Sequence, residues 1–231
     1  MPGLTVCLDM LPCRAMKCVA VTSVCALVCA LSGLVAEAAP QASILPESWA
    51  LNVKFHDPQR ITFQLPGDPH VTTFWYLLFE IANNTGEDVG FYPSFRLVTD
   101  TLEVVEGGDD ISPSVYDAIF ARHRHEYPFA VPPATITGSI LRGEDNARAS
   151  AAVFRMFDKQ ANGFTIFVSG LSGDIERVRN PRFDATQAES DTNPRFFILR
   201  RTLAITYDLP GDVETRIEAT PVRRERKWVM R

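Results

Sequence analysis

Residues 72–86, TTFWYLLFEIANNTG, constrain the fold of this chain more than any other stretch. The run is dense in aromatic and branched side chains, contains no Pro and no Gly before its last residue, and ends in Asn-Asn-Thr-Gly. Such a segment reads as a strand closed by a turn. In strand register Trp75, Leu77, Phe79 and Ile81 fall on one side. Phe74, Tyr76 and Leu78 fall on the other, which turns polar only at Glu80. Side chains alternate across a strand, so a strand apolar on both sides needs a cover on both. An opposing sheet, drawn from residues 151–171 and 195–207, supplies one cover.

The second cover is a helix predicted over residues 113–125. Ser112 can accept a hydrogen bond from the first turn, and Pro113 loses nothing at the first helical position. Val115, Tyr116, Ile119, Phe120 and His123 recur at helical spacing, and Tyr127-Pro128 ends the run. The rest of the pattern is short strands. Trp49, Leu51, Val53 and Phe55 alternate, and residues 60–65, 91–99, 102–105, 135–141, 151–158, 164–171, 195–208, 213–219 and 222–230 are further candidates. Pro93 argues for an edge or a bulge in its strand. Pro66-Gly67 and Pro210-Gly211 suit turns in which Gly takes a positive φ. They lie in two similar stretches, ITFQLPGD at 61–68 and ITYDLPGD at 205–212, read here as one hairpin solution used twice. Residues 172–194 are polar and turn-rich and read as a long loop. The fold class expected is all-β: an immunoglobulin-like antiparallel β-sandwich, residues 49–231, with one inserted helix covering a sheet.

Residues 74–86 resemble the strand and turn of bacterial exported immunoglobulin-like modules, in which an apolar strand ends in N-x-T-G. Arg142-Gly143-Glu144, Val153-Phe154 and residues 164–171 resemble later elements of the same modules. The resemblance covers roughly residues 50–172 and implies a sandwich fold. It implies no catalytic residue.

The N-terminus is expected to be an export signal over residues 1–38. Arg14 and Lys17 precede an almost unbroken apolar run, 18–35, and Ala36-Glu37-Ala38 is an A-x-A cleavage pattern. Met16 would give a signal of more usual proportions as the true start. Residues 39–48 form a short polar lead. The expected location is exported, periplasmic or secreted. The alternative is an uncleaved N-terminal membrane anchor, since about 18 apolar residues span a bilayer. All five cysteines precede residue 30, so residues beyond it can form no disulfide, thiolate metal site or cysteine nucleophile. The net charge of −5 argues against nucleic acid as a partner.

Site candidates are few. His123, His125 and Glu126 could contribute to a divalent-metal site, although helical positions two apart diverge and histidines at a helix C-terminus also favour the dipole. His56 and His70 sit at turns. Glu106, Asp109 and Asp110 flank a Gly pair without the alternate spacing of a calcium loop. Ser169-Gly170-Leu171-Ser172-Gly173 is only loosely like a nucleophile elbow and opens no helix. Asn83-Asn84-Thr85 fits the N-glycosylation pattern, for which the turn role suffices. The basic stretch at 223–231 suits a protected edge strand or an anionic partner. Tyr92, Tyr116, Trp228, Arg224 and Arg226 are the candidates for a binding surface. No cofactor pattern is read. The functional expectation is a non-enzymatic exported module that binds a protein or a cell-envelope component. A metal-dependent or hydrolytic enzyme at His123/His125 and a membrane-tethered accessory subunit are the alternatives.

Overall fold

The apolar run becomes β3, Val71–Asn83, the longest strand of the first sheet together with β8, Gly143–Arg155, which pairs along one edge of it. The other edge carries two short strands end to end. β2, Gln59–Gln64, pairs with the first half of β3, and β1, Asn52–Phe55, pairs with the second. His56-Asp57-Pro58 separates them, because Pro cannot donate to the ladder. The β2–β3 hairpin closes through Pro66-Gly67, where Gly67 has φ +85° and the Asp68 N–H bonds the Leu65 carbonyl at 3.0 Å. The computed structural model describes residues 40–43 and 46–231. The expected signal sequence, its cleavage point and Met16 lie outside the described residues.

The second sheet is built on β11, Phe196–Asp208. β9, Gly163–Ser169, and β10, Ile175–Arg179, both pair with it. The Leu209 N–H bonds the Asn162 carbonyl and the Arg201 N–H bonds the Asp174 carbonyl, so β9 and β10 follow one another along the same edge. β12, Val222–Met230, takes the opposite edge, and the sheet continues from β9 through β5, Ser94–Thr99, to β6, Val104–Glu106. A small ribbon joins β4, Val89–Phe91, to β7, Gly138–Ile140. Every pairing is antiparallel, and the described residues form an all-β fold with two short helices.

The core between the two sheets joins Trp75, Leu77, Phe79 and Ile81 to Phe95, Ile166, Val168, Leu203, Ile205 and Tyr207. Rings meet directly, with Phe79 5.0 Å from Phe95 and Trp75 5.9 Å from Phe164. Helix α1, Pro113–Arg122, covers the outer face of β3: Val115, Tyr116 and Ile119 pack on Phe74, Tyr76, Leu78 and Val153. Burying such side chains contributes about 1.5–3 kcal/mol each, which is why a strand apolar on both faces acquires both covers.

Local details depart from the sequence expectation. α1 stops at Arg122 rather than 125, because His123 leaves helical geometry and residues 123–126 form turns. Ser112 does not cap through its side chain; its hydroxyl meets Ser114 at 2.8 Å instead. Residues 172–194 are not all loop, since β10 lies within them. Residues 133–136 form a short helix, α2, Pro133–Ile136, because Pro133 presets its first turn. Residues 213–219 form turns and a 3-10 turn at Arg216–Glu218 instead of a strand. The candidate strand 91–99 breaks at Tyr92-Pro93, as a proline there requires.

Candidate functional site

His123 stands at the C-terminal end of α1, where its Nε2 lies 2.9 Å from the Tyr76 hydroxyl. Tyr76 donates its single proton to Gln59 Oε1 at 2.9 Å and accepts from Arg122 at 3.3 Å. The remaining partner, His123, must therefore donate, which places its proton on Nε2. Burial and the neighbouring Arg122 and His56 charges hold the imidazole below the ordinary histidine range, against the opposing pull of Glu126. Glu126 turns instead to His56, at 3.1 Å, whose Nε2 also meets the Tyr127 hydroxyl at 2.7 Å. Burial, then Glu126 and Glu80, push the Tyr127 hydroxyl up. His125 is exposed. Thus His123, His125 and Glu126 are not gathered on one point, and among the described residues no three His, Cys, Asp or Glu side chains are placed to hold a metal ion. The polar groups tie the helix end to β2 and β3.

The other sequence candidates resolve into intramolecular contacts. Glu106 pairs with Arg96 at 2.5 Å and Asp110 with Arg155 at 3.3 Å. The Ser172 hydroxyl donates to the Trp49 carbonyl, and a strand follows it. Asn83 is buried, with its Nδ2 donating to the Glu87 and Ile140 carbonyls and its Oδ1 accepting from Thr85, so the turn consumes this side chain. The surface expected around Tyr92, Tyr116 and Trp228 does not form. Tyr92 is exposed, but Tyr116 shares the buried face of α1 with Val115 and Ile119, and burial pushes its hydroxyl up. Trp228 packs against the intersheet core beneath the Arg201 guanidinium, 4.6 Å from its ring. Arg224 pairs with Asp208 at 2.6 Å, and Arg226 lies 5.1 Å over Phe55.

The surface that stands out was not among the sequence candidates. β10 and the start of β11 form a two-stranded arm, and among the described residues no third strand flanks residues 175–179 or 196–199. Phe196, Phe197, Ile198 and Ile175 are 43%, 45%, 44% and 57% exposed. On one face of the arm Phe196 stands opposite Arg179, Ile198 opposite Arg177, and Arg200 opposite Ile175. The reverse face pairs Phe197 with Val178 and Leu199 with Glu176. The sequence does carry a signal, RFFILRR at 195–201 facing IERVR at 175–179. Alternation alone put Phe197 and Leu199 in register with the core residues Leu203 and Ile205, which is correct for the face but not for its cover.

The base of the arm is fixed by a buried ion pair. Arg201 and Asp174, with side chains 3% and 10% exposed, meet at 3.2 Å. Asp174 also accepts the Glu47 and Ser48 N–H groups, and Arg201 donates to the Ser43 carbonyl. Beside this base, on the outward face of the second sheet, a shallow cavity of about 200 Å³ opens among Arg96, Phe167, Arg200 and Arg231. The arrangement offers guanidinium groups and apolar side chains to a partner, and no base–nucleophile pair. Comparison with protein-family models, curated proteins and solved structures yields no match for this chain.

Proposed function

We propose that the chain is an exported, immunoglobulin-like β-sandwich that binds a protein or a component of the cell envelope and catalyses no reaction. The observation that supports this reading best is the arm: four large apolar side chains stand in solvent on a two-stranded extension. Apolar groups concentrated on one exposed element favour an interaction site. The apolar run at 18–35 followed by Ala36-Glu37-Ala38 supports export.

The test is co-purification from the native host with mass spectrometry of what accompanies the protein, comparing the wild-type chain with an Ile198→Ser/Phe197→Ser variant. The wild type should bring a reproducible envelope component, and the variant should lose it while keeping its unfolding transition. Equal recovery from both would remove the arm from the binding surface. The N-terminus of the recovered protein should begin near Ala39. An intact N-terminal segment would favour the tethered alternative.

A further inference from the structure

We infer that the outward face of the second sheet and its arm dock on an anionic phospholipid surface, the guanidinium groups meeting lipid phosphates and Phe196 and Ile198 entering the interface. This rests on the binding-module reading and names its partner class. Three observations carry it.

The first is a continuous strip. Phe196, Ile198, Arg200 and Thr202 occupy alternate positions of β11 and so share one face, with Arg179, Arg177 and Ile175 directly across on β10. The Arg200 backbone N–H donates to the Arg231 carbonyl at 2.7 Å and the Arg231 N–H to the Arg200 carbonyl at 3.1 Å, and the Arg231 guanidinium lies 3.9 Å over the Phe167 ring. Ser94, Ser169 and Thr202 line the same cavity, with the Thr202 hydroxyl donating to the Arg200 carbonyl and the Ser169 hydroxyl to the Ser94 carbonyl.

The second is unbalanced charge. Among the described residues Arg177, Arg179, Arg200 and Arg231 have no carboxylate within ion-pair distance, and Arg96 alone of this group has one. Arg200 and Arg231 stand directly opposite each other, an arrangement that destabilises a strand pair when both carry the same sign. Burial and the nearby Arg96 charge hold the Arg231 guanidinium below its ordinary value, against the opposing pull of Glu106. A chain of net charge −5 that leaves four arginines without a carboxylate partner on one face, beside the Arg96–Glu106 pair, is arranged for an anion there.

The third is the apolar content between those charges. A soluble polyanion would use the guanidiniums and leave Phe196 and Ile198 in water. A second copy of the chain docked on the same face would bring the arginines together. A bilayer boundary satisfies both kinds of group, since anionic headgroups attract the cations and the acyl boundary receives the apolar side chains.

The experiment is vesicle co-sedimentation at two salt concentrations. Vesicles of phosphatidylcholine alone are compared with vesicles containing phosphatidylglycerol, for the wild-type chain, Arg177→Gln/Arg179→Gln and Phe196→Ser. Wild type should sediment with the phosphatidylglycerol vesicles and remain in solution with the neutral ones. The double arginine variant should bind roughly 25-fold more weakly, about fivefold per charge lost near the surface. Phe196→Ser should weaken binding at both salt concentrations, since its contribution is apolar. All three should keep the same unfolding transition.

Binding that ignores both phosphatidylglycerol and the arm substitutions would come from the apolar N-terminal run and would overturn the inference. Displacement by millimolar inorganic phosphate would mark a small-anion site and would also overturn it. So would binding that Phe196→Ser leaves unchanged, which describes a polyanion contact. If vesicles fail to bind while the native host still yields an arm-dependent protein partner, the lipid inference falls and the binding-module reading stands. If neither is seen, both fall.

Discussion

Replacing Asp174 by Ala should cost the protein about 3–5 kcal/mol of stability, the range for breaking a buried ion pair by removing one partner. The carboxylate sits between β9 and β10 with its side chain 10% exposed and faces Arg201, whose side chain is 3% exposed. It accepts from Arg201 at 3.2 Å and from the backbone N–H groups of Glu47 and Ser48 at 3.2 and 2.7 Å. Its removal takes the negative charge from beside a guanidinium that is almost out of water, and leaves the lead segment without its anchor. For a domain of this size the loss corresponds to a fall in Tm of roughly 6–20 °C. Urea unfolding followed by tryptophan fluorescence checks the figure, with an unchanged m value confirming that stability alone has moved. Asp174→Asn should lose less, since it keeps one acceptor oxygen. Arg201→Met combined with Asp174→Ala should recover part of the loss, because a buried pair replaced by apolar groups is often close to neutral. The double-mutant cycle should return a coupling of about 1–3 kcal/mol. A single-mutant loss under about 1 kcal/mol, or strict additivity in the cycle, would refute the argument that this pair fixes the base of the arm.

Three further outcomes follow from the geometry. Ile119→Ala removes a fully buried side chain between α1 and β3 and should cost about 2–5 kcal/mol, whereas Asp117→Ala on the exposed face of α1 should stay within about 0.5 kcal/mol; equal effects in urea unfolding would mean that α1 is not seated on the sheet. Gly170→Ala should destabilise by well over 1 kcal/mol, since Gly170 has φ +85° and an added Cβ would lie 2.5 Å from the Tyr92 carbonyl oxygen, and a neutral result would disprove that close crossing. The third concerns pH. His123 is held below its ordinary value, so the native state binds fewer protons than the unfolded chain below about pH 6.5, and its contribution, present above that value, is lost as pH falls through the folded pKa. Tm measured between about pH 5 and pH 7 should decline toward acid, less steeply in His123→Gln; an unchanged slope would show that His123 is not the source of the decline.

Much of the architecture was legible because it rests on local alternation. Trp75, Leu77, Phe79 and Ile81 face the intersheet core, and Phe74, Tyr76 and Leu78 face α1, as the two-sided apolar pattern requires. The helix start at Pro113 and the Pro66-Gly67 turn were equally readable, because a fixed φ or a positive φ is a property of one residue. The candidate site was hardly legible. Tyr116 and Trp228 look like contact residues in one dimension and prove to be packing residues, because whether an aromatic side chain is covered depends on elements far away in the chain. His123 and Glu126, three residues apart, turn to different partners, Tyr76 on β3 and His56 in the break between β1 and β2.

The sequence by itself determined that the chain builds antiparallel sheets around β3, that one helix covers a doubly apolar strand, and that residues beyond 30 carry no thiol chemistry. It did so through periodicity and residue type, which act over a few residues. The tertiary structure alone decided where the second sheet ends. β9 and β12 flank β11 only over its second half, so Leu203, Ile205 and Tyr207 are buried while Phe197, in the same register, stands 45% exposed. Alternation sets which way a side chain points. Only the packing of distant strands sets whether anything lies there to meet it.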